Sequence, residues 1–151
     1  MSAARLFTWP GGQLVNSMFS NSPDAPTHQF CWVDLATADE AAAKSFYGGL
    51  LGWAVQDRRS GGGRFSTFAR GDAPFASLYQ LSRKQIGQGV PSHWTPYLST
   101  REVDATAAKA AGLGGQIIVP PHDVAGFARI SLISDPTGAL FGLWQEQRHK
   151  S

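Results

Sequence analysis

Apolar and polar residues alternate along much of this chain, in short segments separated by residues that favour turns. Such alternation is typical of strands with one buried face, because successive side chains point to opposite sides of a sheet. In the first half of the chain it predicts four strands, at 29–36, 53–58, 64–69 and 74–81.

Helical spacing replaces the alternation directly after the first predicted strand. Thr37 is the expected N-cap, and two carboxylates follow in the first turn, where they favour the helix dipole. We expect the glycine pair 48–49 to close the helix. One face of it would carry Ala42, Phe46 and Leu50.

The same order of elements then begins again. The segments ASLYQ and FGLWQ superpose with a shift of 65 residues, and the two opening strands with a shift of 63, which indicates an internal duplication. We therefore expect a lead at 1–28, one domain at 29–146 made of units 29–82 and 93–146, and a tail at 147–151. The second unit would hold a strand at 93–100, a helix at 102–115 and strands at 116–121, 127–134 and 139–146.

Composition narrows the function classes. The chain has 151 residues, 42% hydrophobic and 16% charged, with a net charge of +2 and no basic stripe, so we expect no nucleic-acid partner. No apolar run approaches the roughly 20 residues that span a bilayer, so we expect no membrane partner. Cys31 is the single cysteine and lies in an apolar strand pattern, which favours an inert thiol and a cytoplasmic location.

Two motifs, FYGGLLGW at 46–53 and DPTGALFGLWQ at 135–145, resemble the vicinal oxygen chelate superfamily. This superfamily includes glyoxalases, bleomycin-resistance proteins and extradiol dioxygenases. The opening strand, with Trp32, Asp34 and Leu35, is most similar to its metal-poor, glyoxalase-like bacterial branch. The resemblance implies an α+β fold: two tandem βαβββ units forming a cupped, mostly antiparallel sheet with the helices outside.

Metal enzymes of this superfamily place ligands at four symmetric points on the concave sheet. The family spacing and the repeat shift together assign these four points in this sequence to Trp32, Ser77, Thr95 and Gly142. Tryptophan and glycine side chains offer no lone pair to a metal, and neutral hydroxyls are poor ligands. We therefore expect no metal and no cofactor.

The parity of the strands then predicts which side chains line the cup, since residues two apart share a face. A register error of one or two residues in the second unit would add Trp94 or His93, and His93 lies beside the expected mouth. The predicted ligand-binding set is Phe30, Trp32, Asp34, Phe75, Ser77, Tyr79, His93, Trp94, Thr95, Tyr97, Leu140, Gly142 and Trp144.

Asp34 and Tyr97 occupy equivalent positions in the two units, so we expect a hydrogen bond between them and, in an enzyme, a catalytic role for both. Aromatic rings with few polar groups favour metal-independent binding of a small aromatic or apolar molecule, such as an antibiotic or secondary metabolite. Two alternatives stay open: an isomerase, lyase or dioxygenase-like enzyme, and an interaction protein whose rings fill the centre as core. A homodimer, with the lead crossing between subunits, is compatible with each.

Overall fold

The computed structural model describes residues 27–60, 63–124 and 126–146. The predicted lead lies almost entirely outside these residues, and the predicted tail lies wholly outside them. The described elements, in chain order, are β1 (Phe30–Thr37), α1 (Glu40–Leu51), β2 (Ala54–Ser60), β3 (Gly63–Arg70), β4 (Ala73–Gln80), α2 (Arg83–Gly87), β5 (His93–Ser99), α3 (Val103–Gly112), β6 (Gln116–Val124), β7 (Ala128–Ser134) and β8 (Leu140–Glu146).

The strands form one curled eight-stranded sheet in the order β2-β3-β4-β1-β5-β8-β7-β6. Each unit therefore contributes four neighbouring strands, and β1 meets β5 at the centre in antiparallel pairing. Within each unit the first strand pairs in parallel with the last, β1 with β4 and β5 with β8, and the other pairings are antiparallel. The predicted tandem βαβββ fold is confirmed.

Both long helices pack on the same side of this sheet, over two apolar clusters. The cluster beside α1 is built on Leu35, Phe68 and Leu78, and the cluster beside α3 on Ile133 and Leu143. The opposite side of the sheet carries the side chains of alternate parity. We call that side the concave face, and the candidate site lies on it.

Helix α1 differs from its prediction at both ends. Its N-cap is Asp39, whose carboxylate accepts a hydrogen bond from the backbone N–H of Ala42. The Thr37 hydroxyl, the predicted cap, instead accepts a hydrogen bond from the backbone N–H of Asp39. The helix also continues through the glycine pair 48–49. It ends at Gly52, which adopts a left-handed conformation with φ of 67°.

The face of α1 that contacts the sheet is also not the predicted one. Ala43 and Tyr47 pack against the cluster of Leu35, Phe68 and Leu78. Phe46 and Leu50 face outward, with 59% and 63% of their surface exposed in the described chain. Both stripes of the helix are apolar, so the spacing alone did not decide which of them would be buried.

The segment between the two units contains α2, which the alternation did not predict. Ser82 caps this short helix in a capping box with Gln85, a pattern that the sequence SRKQ does carry. None of the described helices is long and apolar enough to cross a membrane.

Candidate functional site

The four points transferred from the family spacing lie on four neighbouring strands of the concave face. Trp32 is on β1, Ser77 on β4, Thr95 on β5 and Gly142 on β8. The strand register brings Ser77 and Thr95 to either side of Asp34, one on each neighbouring strand. The centre of the cup is therefore built around this carboxyl.

Three of these side chains form a hydrogen-bond chain. The indole N–H of Trp32 donates to the Ser77 hydroxyl over 2.9 Å, and that hydroxyl donates to Oδ1 of Asp34 over 2.6 Å. The predicted bond from Tyr97 to Asp34 is replaced by this one. In the β1–β5 register Tyr97 lies opposite Trp32, and Thr95 lies opposite Asp34. Tyr97 is therefore a diagonal neighbour of Asp34.

The surroundings of Asp34 favour its neutral form. Burial raises the pKa of its carboxyl to about 6, although the Ser77 hydrogen bond and the charge of His93 both act to lower it. Burial also raises the pKa of Tyr79 and of Tyr97, and the nearby Asp34 carboxylate raises both further. An acid with a pKa near neutrality can take up and release a proton at physiological pH.

His93 belongs to this group by position. It lies opposite Ala36 on β1, two residues from the Asp34–Thr95 pair, and so faces the same side. Its Nδ1 is within 2.8 Å of the Pro91 carbonyl oxygen. The structure therefore places His93 on the concave face, in the same row as Asp34 and Thr95.

Aromatic rings of the concave face pack closely on one another. The rings of Trp32 and Trp144 stack with centroids 5.0 Å apart, and Tyr97 meets Trp144 edge-on at 6.0 Å. The Tyr97 ring lies directly against Gly142. Glycine is needed there because a Cβ atom would overlap that ring.

Two predicted ring positions fall on the other side because of β-bulges. The register of β1 shifts between Phe30 and Trp32, so that Phe30 lies opposite Leu98, a residue of the cluster under α3. The register of β4 shifts beside Phe75, whose ring packs edge-on against Trp53 at 4.7 Å. An extra residue in one strand reverses the parity beyond it, so neither Phe30 nor Phe75 lines the concave face.

Trp94 is also not a concave residue. Its indole N–H donates to the Tyr47 hydroxyl on α1, 3.1 Å away, and the two rings meet edge-on. The predicted register with Thr95 inward is therefore the one the structure adopts. Leu140, at the start of β8, is half-buried and shares the parity of Gly142.

The structure adds concave residues that the sequence argument missed. Thr67 of β3 lies opposite Ser77, and Phe65 shares its parity. The Phe65 ring meets Phe127, in the turn between β6 and β7, at 5.3 Å, and the Arg58 guanidinium lies 5.6 Å from the same Phe127 ring. Extending the parity argument to β3 would have found Phe65 and Thr67. Phe127 lies in a turn, where parity does not apply.

The four family points do not fit a divalent metal. An indole and a glycine offer no electron pair, and the Ser77 hydroxyl is already engaged on both sides. Across the described residues, no three His, Cys, Asp or Glu side chains lie close enough together to hold an ion. Burial raises the pKa of the Cys31 thiol to about 12, which leaves it an inert group.

Comparison with known proteins places this geometry in a family. Residues 29–143 match the model of the Glyoxalase/Bleomycin resistance protein/Dioxygenase superfamily. The chain belongs to this superfamily. Solved structures share the fold of the chain. A hypothetical protein from Bacillus halodurans has a TM-score of 0.63 at 15% identity, covering 83% of this chain and 99% of its own. Methylmalonyl-CoA epimerase from Mycobacterium tuberculosis has a TM-score of 0.62 at 18% identity, covering 81% and 90%.

Relatives with higher sequence identity are longer proteins. A Mycobacterium tuberculosis (strain CDC 1551 / Oshkosh) protein named "Putative glyoxylase CFP32" is 39% identical over 120 residues, which cover 78% of this chain and 46% of the relative. The Anthracycline biosynthesis protein DauV of Streptomyces sp. (strain C5) is 34% identical over 140 residues, covering 83% and 48%. This chain thus spans about half the length of the curated relatives it matches.

Proposed function

We propose that the concave face binds a small, flat organic molecule without the help of a metal. The observation that carries this proposal is the Asp34 carboxyl, which is held by Ser77 in a surface that also carries several aromatic rings. Rings supply stacking area to a flat ligand, and one polar group among them fixes its orientation. Tyr79, Tyr97 and Trp144 are the aromatic side chains of this surface that we expect to contact the ligand.

The anthracycline biosynthesis relatives suggest the class of ligand. Their name refers to fused-ring aromatic compounds, which offer both a flat surface and phenolic hydroxyls. A phenolic O–H would donate to a carboxylate such as Asp34. A hydroxylated anthraquinone is therefore the first ligand to test. A cytoplasmic location is part of the same proposal, supported by the unpaired Cys31.

Binding can be measured by quenching of tryptophan fluorescence and by thermal shift with quinizarin, a dihydroxyanthraquinone. We expect saturable binding that is the same in EDTA and after addition of Zn²⁺, Ni²⁺ or Mn²⁺. Trp144→Phe should weaken binding, whereas Trp53→Phe, which removes an indole from the helix side, should leave the affinity unchanged. About one equivalent of tightly held metal per chain in elemental analysis would contradict the proposal.

An enzymatic function is the second candidate, and the pKa of Asp34 favours it. A carboxylate with a pKa of about 6 can remove the C–H proton of a hemithioacetal carbon beside a ketone, which gives an enediolate. It can then return that proton to the former ketone carbon while the hemithioacetal O–H proton passes to the former ketone oxygen, which completes an isomerisation to an α-hydroxythioester. Tyr97 would donate a hydrogen bond to an enediolate oxygen. Solvent deuterium uptake by the hemithioacetal of methylglyoxal and glutathione, followed by proton NMR, tests this step. Exchange that is equally fast with Asp34→Asn would exclude Asp34 as the base.

A homodimer is a further proposal, supported by the outward stripe of α1. Phe46 and Leu50 together expose apolar area that a second copy of the chain would bury. Sedimentation velocity of the full chain at micromolar concentration measures this directly.

A further inference from the structure

The hydrogen-bond chain that ends at Asp34 has a fixed direction. An indole N–H can only donate, and an ionised carboxylate can only accept. The Ser77 hydroxyl lies between them, 2.9 Å from Nε1 of Trp32 and 2.6 Å from Oδ1 of Asp34. It must therefore accept from the indole and direct its own proton to the carboxylate.

This chain engages only one of the two oxygens of Asp34. No second hydrogen bond to the carboxyl is found among the described residues, and none of their fully buried polar side-chain atoms lacks a partner. Oδ2 is therefore in contact with solvent on the concave face. The carboxyl presents one occupied oxygen to the protein and one open oxygen to the cup.

We infer that Trp32 is a positioning residue: through Ser77 it orients the Asp34 carboxyl so that Oδ2 is the atom that meets the ligand. The ligand would present a phenolic O–H or an acidic C–H at this point. Only the statement about the ligand rests on the proposed function. The hydrogen-bond chain is complete in the free protein, so the positioning role does not depend on a ligand.

The other explanation for Trp32 is that its ring simply stacks on Trp144. The two roles depend on different parts of the side chain. Stacking needs the ring and not the N–H, whereas positioning needs the N–H. Replacing Trp32 by 3-benzothienylalanine, which keeps the shape of the ring and has sulfur in place of the N–H, separates them.

The readout is the titration of the Asp34 carboxyl carbon in ¹³C-labelled protein without ligand. The groups that face this carboxyl are Ser77 and Tyr79 from β4 and His93, Thr95 and Tyr97 from β5. The His93→Gln background removes the imidazole, whose charge acts on the Asp34 carboxyl. All variants are compared in that background.

We expect Ser77→Ala to raise the midpoint of the titration by about one unit, because the carboxylate loses a hydrogen-bond donor. Trp32→3-benzothienylalanine should raise it by about half a unit, since the hydroxyl is no longer polarised or held in direction. Trp144→Phe, which removes a stacked indole without touching Ser77, is the matched control and should leave the midpoint in place.

An unchanged midpoint in the benzothienylalanine variant would overturn the positioning role and leave Trp32 as a stacking ring. A midpoint that moves equally in Trp144→Phe would overturn it too, because the effect would then come from packing. Failure of the proposed function has a different signature, since the unmodified protein would then bind no quinizarin while the midpoints still moved as expected.

Discussion

Replacing Asp34 by Asn should make the protein more stable at neutral and alkaline pH. The amide has no charge to bury, and its oxygen can still accept the hydrogen bond that the Ser77 hydroxyl now donates to Oδ1. Burial raises the pKa of the wild-type carboxyl from 3.8 to about 6, so ionising it costs free energy only in the folded state.

The sign and size of the effect follow from proton linkage. Between about pH 4 and pH 6 the native state binds more protons at Asp34 than the unfolded state does, so this group lowers stability as the pH rises through that range. The full shift corresponds to at most about 3 kcal/mol. Because Asp34 is only partly buried and water reaches one oxygen, we expect a gain of about 2 kcal/mol for Asp34→Asn at about pH 8.

Urea unfolding followed by tryptophan fluorescence, at a series of pH values from about 4 to about 8, measures this gain. The two proteins should have equal stability at the acid end, where wild-type Asp34 is neutral, and should diverge above pH 6. Asp72→Asn, at an exposed carboxyl in the turn between β3 and β4, is the control for loss of a charge. A gain that is absent at pH 8, or the same at both ends of the range, would refute the account of Asp34 as a buried acid.

Two further predictions concern packing. Gly142→Ala should destabilise the protein by about 2 kcal/mol, because the new methyl group overlaps the Tyr97 ring. Gly49→Ala, in the open interior of α1, should stabilise it by up to about 1 kcal/mol. Thermal unfolding that ranks the two variants the other way would contradict the placement of Tyr97. Phe46→Glu combined with Leu50→Glu should convert a dimer to a monomer without loss of the fold. A monomeric wild type in sedimentation velocity would remove the dimer proposal.

Much of the fold was accessible from the sequence because its signals are local. Strand alternation, the repeat shifts and the turn residues placed all eight strands within a few residues of their positions. The internal repeat also matched the structure, since strands related by the repeat shift occupy equivalent places in the two halves of the sheet. The short helix α2 was missed, although its capping box at Ser82 is a local signal.

The candidate site was less accessible because side-chain direction depends on pairing with other strands. A β-bulge places two residues opposite one, and the sequence of a single strand does not show where this happens. Cys31 and Phe75 lie at such points, and the parity count crossed both, so Phe30 and Phe75 were assigned to the wrong face. Asp34 and Tyr79 lie on the other side of Trp32 and Ser77 from the bulges, and there the count agrees with the strand register.

Trp32 and Gly142, two of the four points transferred from the family, each support another side chain of the concave face. Trp32 offers the metal no electron pair, but its N–H holds Ser77 and so fixes the carboxyl of Asp34. Gly142 has no side chain to bind a metal. Because it lacks a Cβ atom, the Tyr97 ring can lie directly against its backbone. Introducing a ligand at one point, as in Trp32→His or Gly142→Glu, would break the hydrogen-bond chain or displace the ring without completing a metal site. If the proposed function is correct, ligand binding should depend on the orientation of the Asp34 carboxyl.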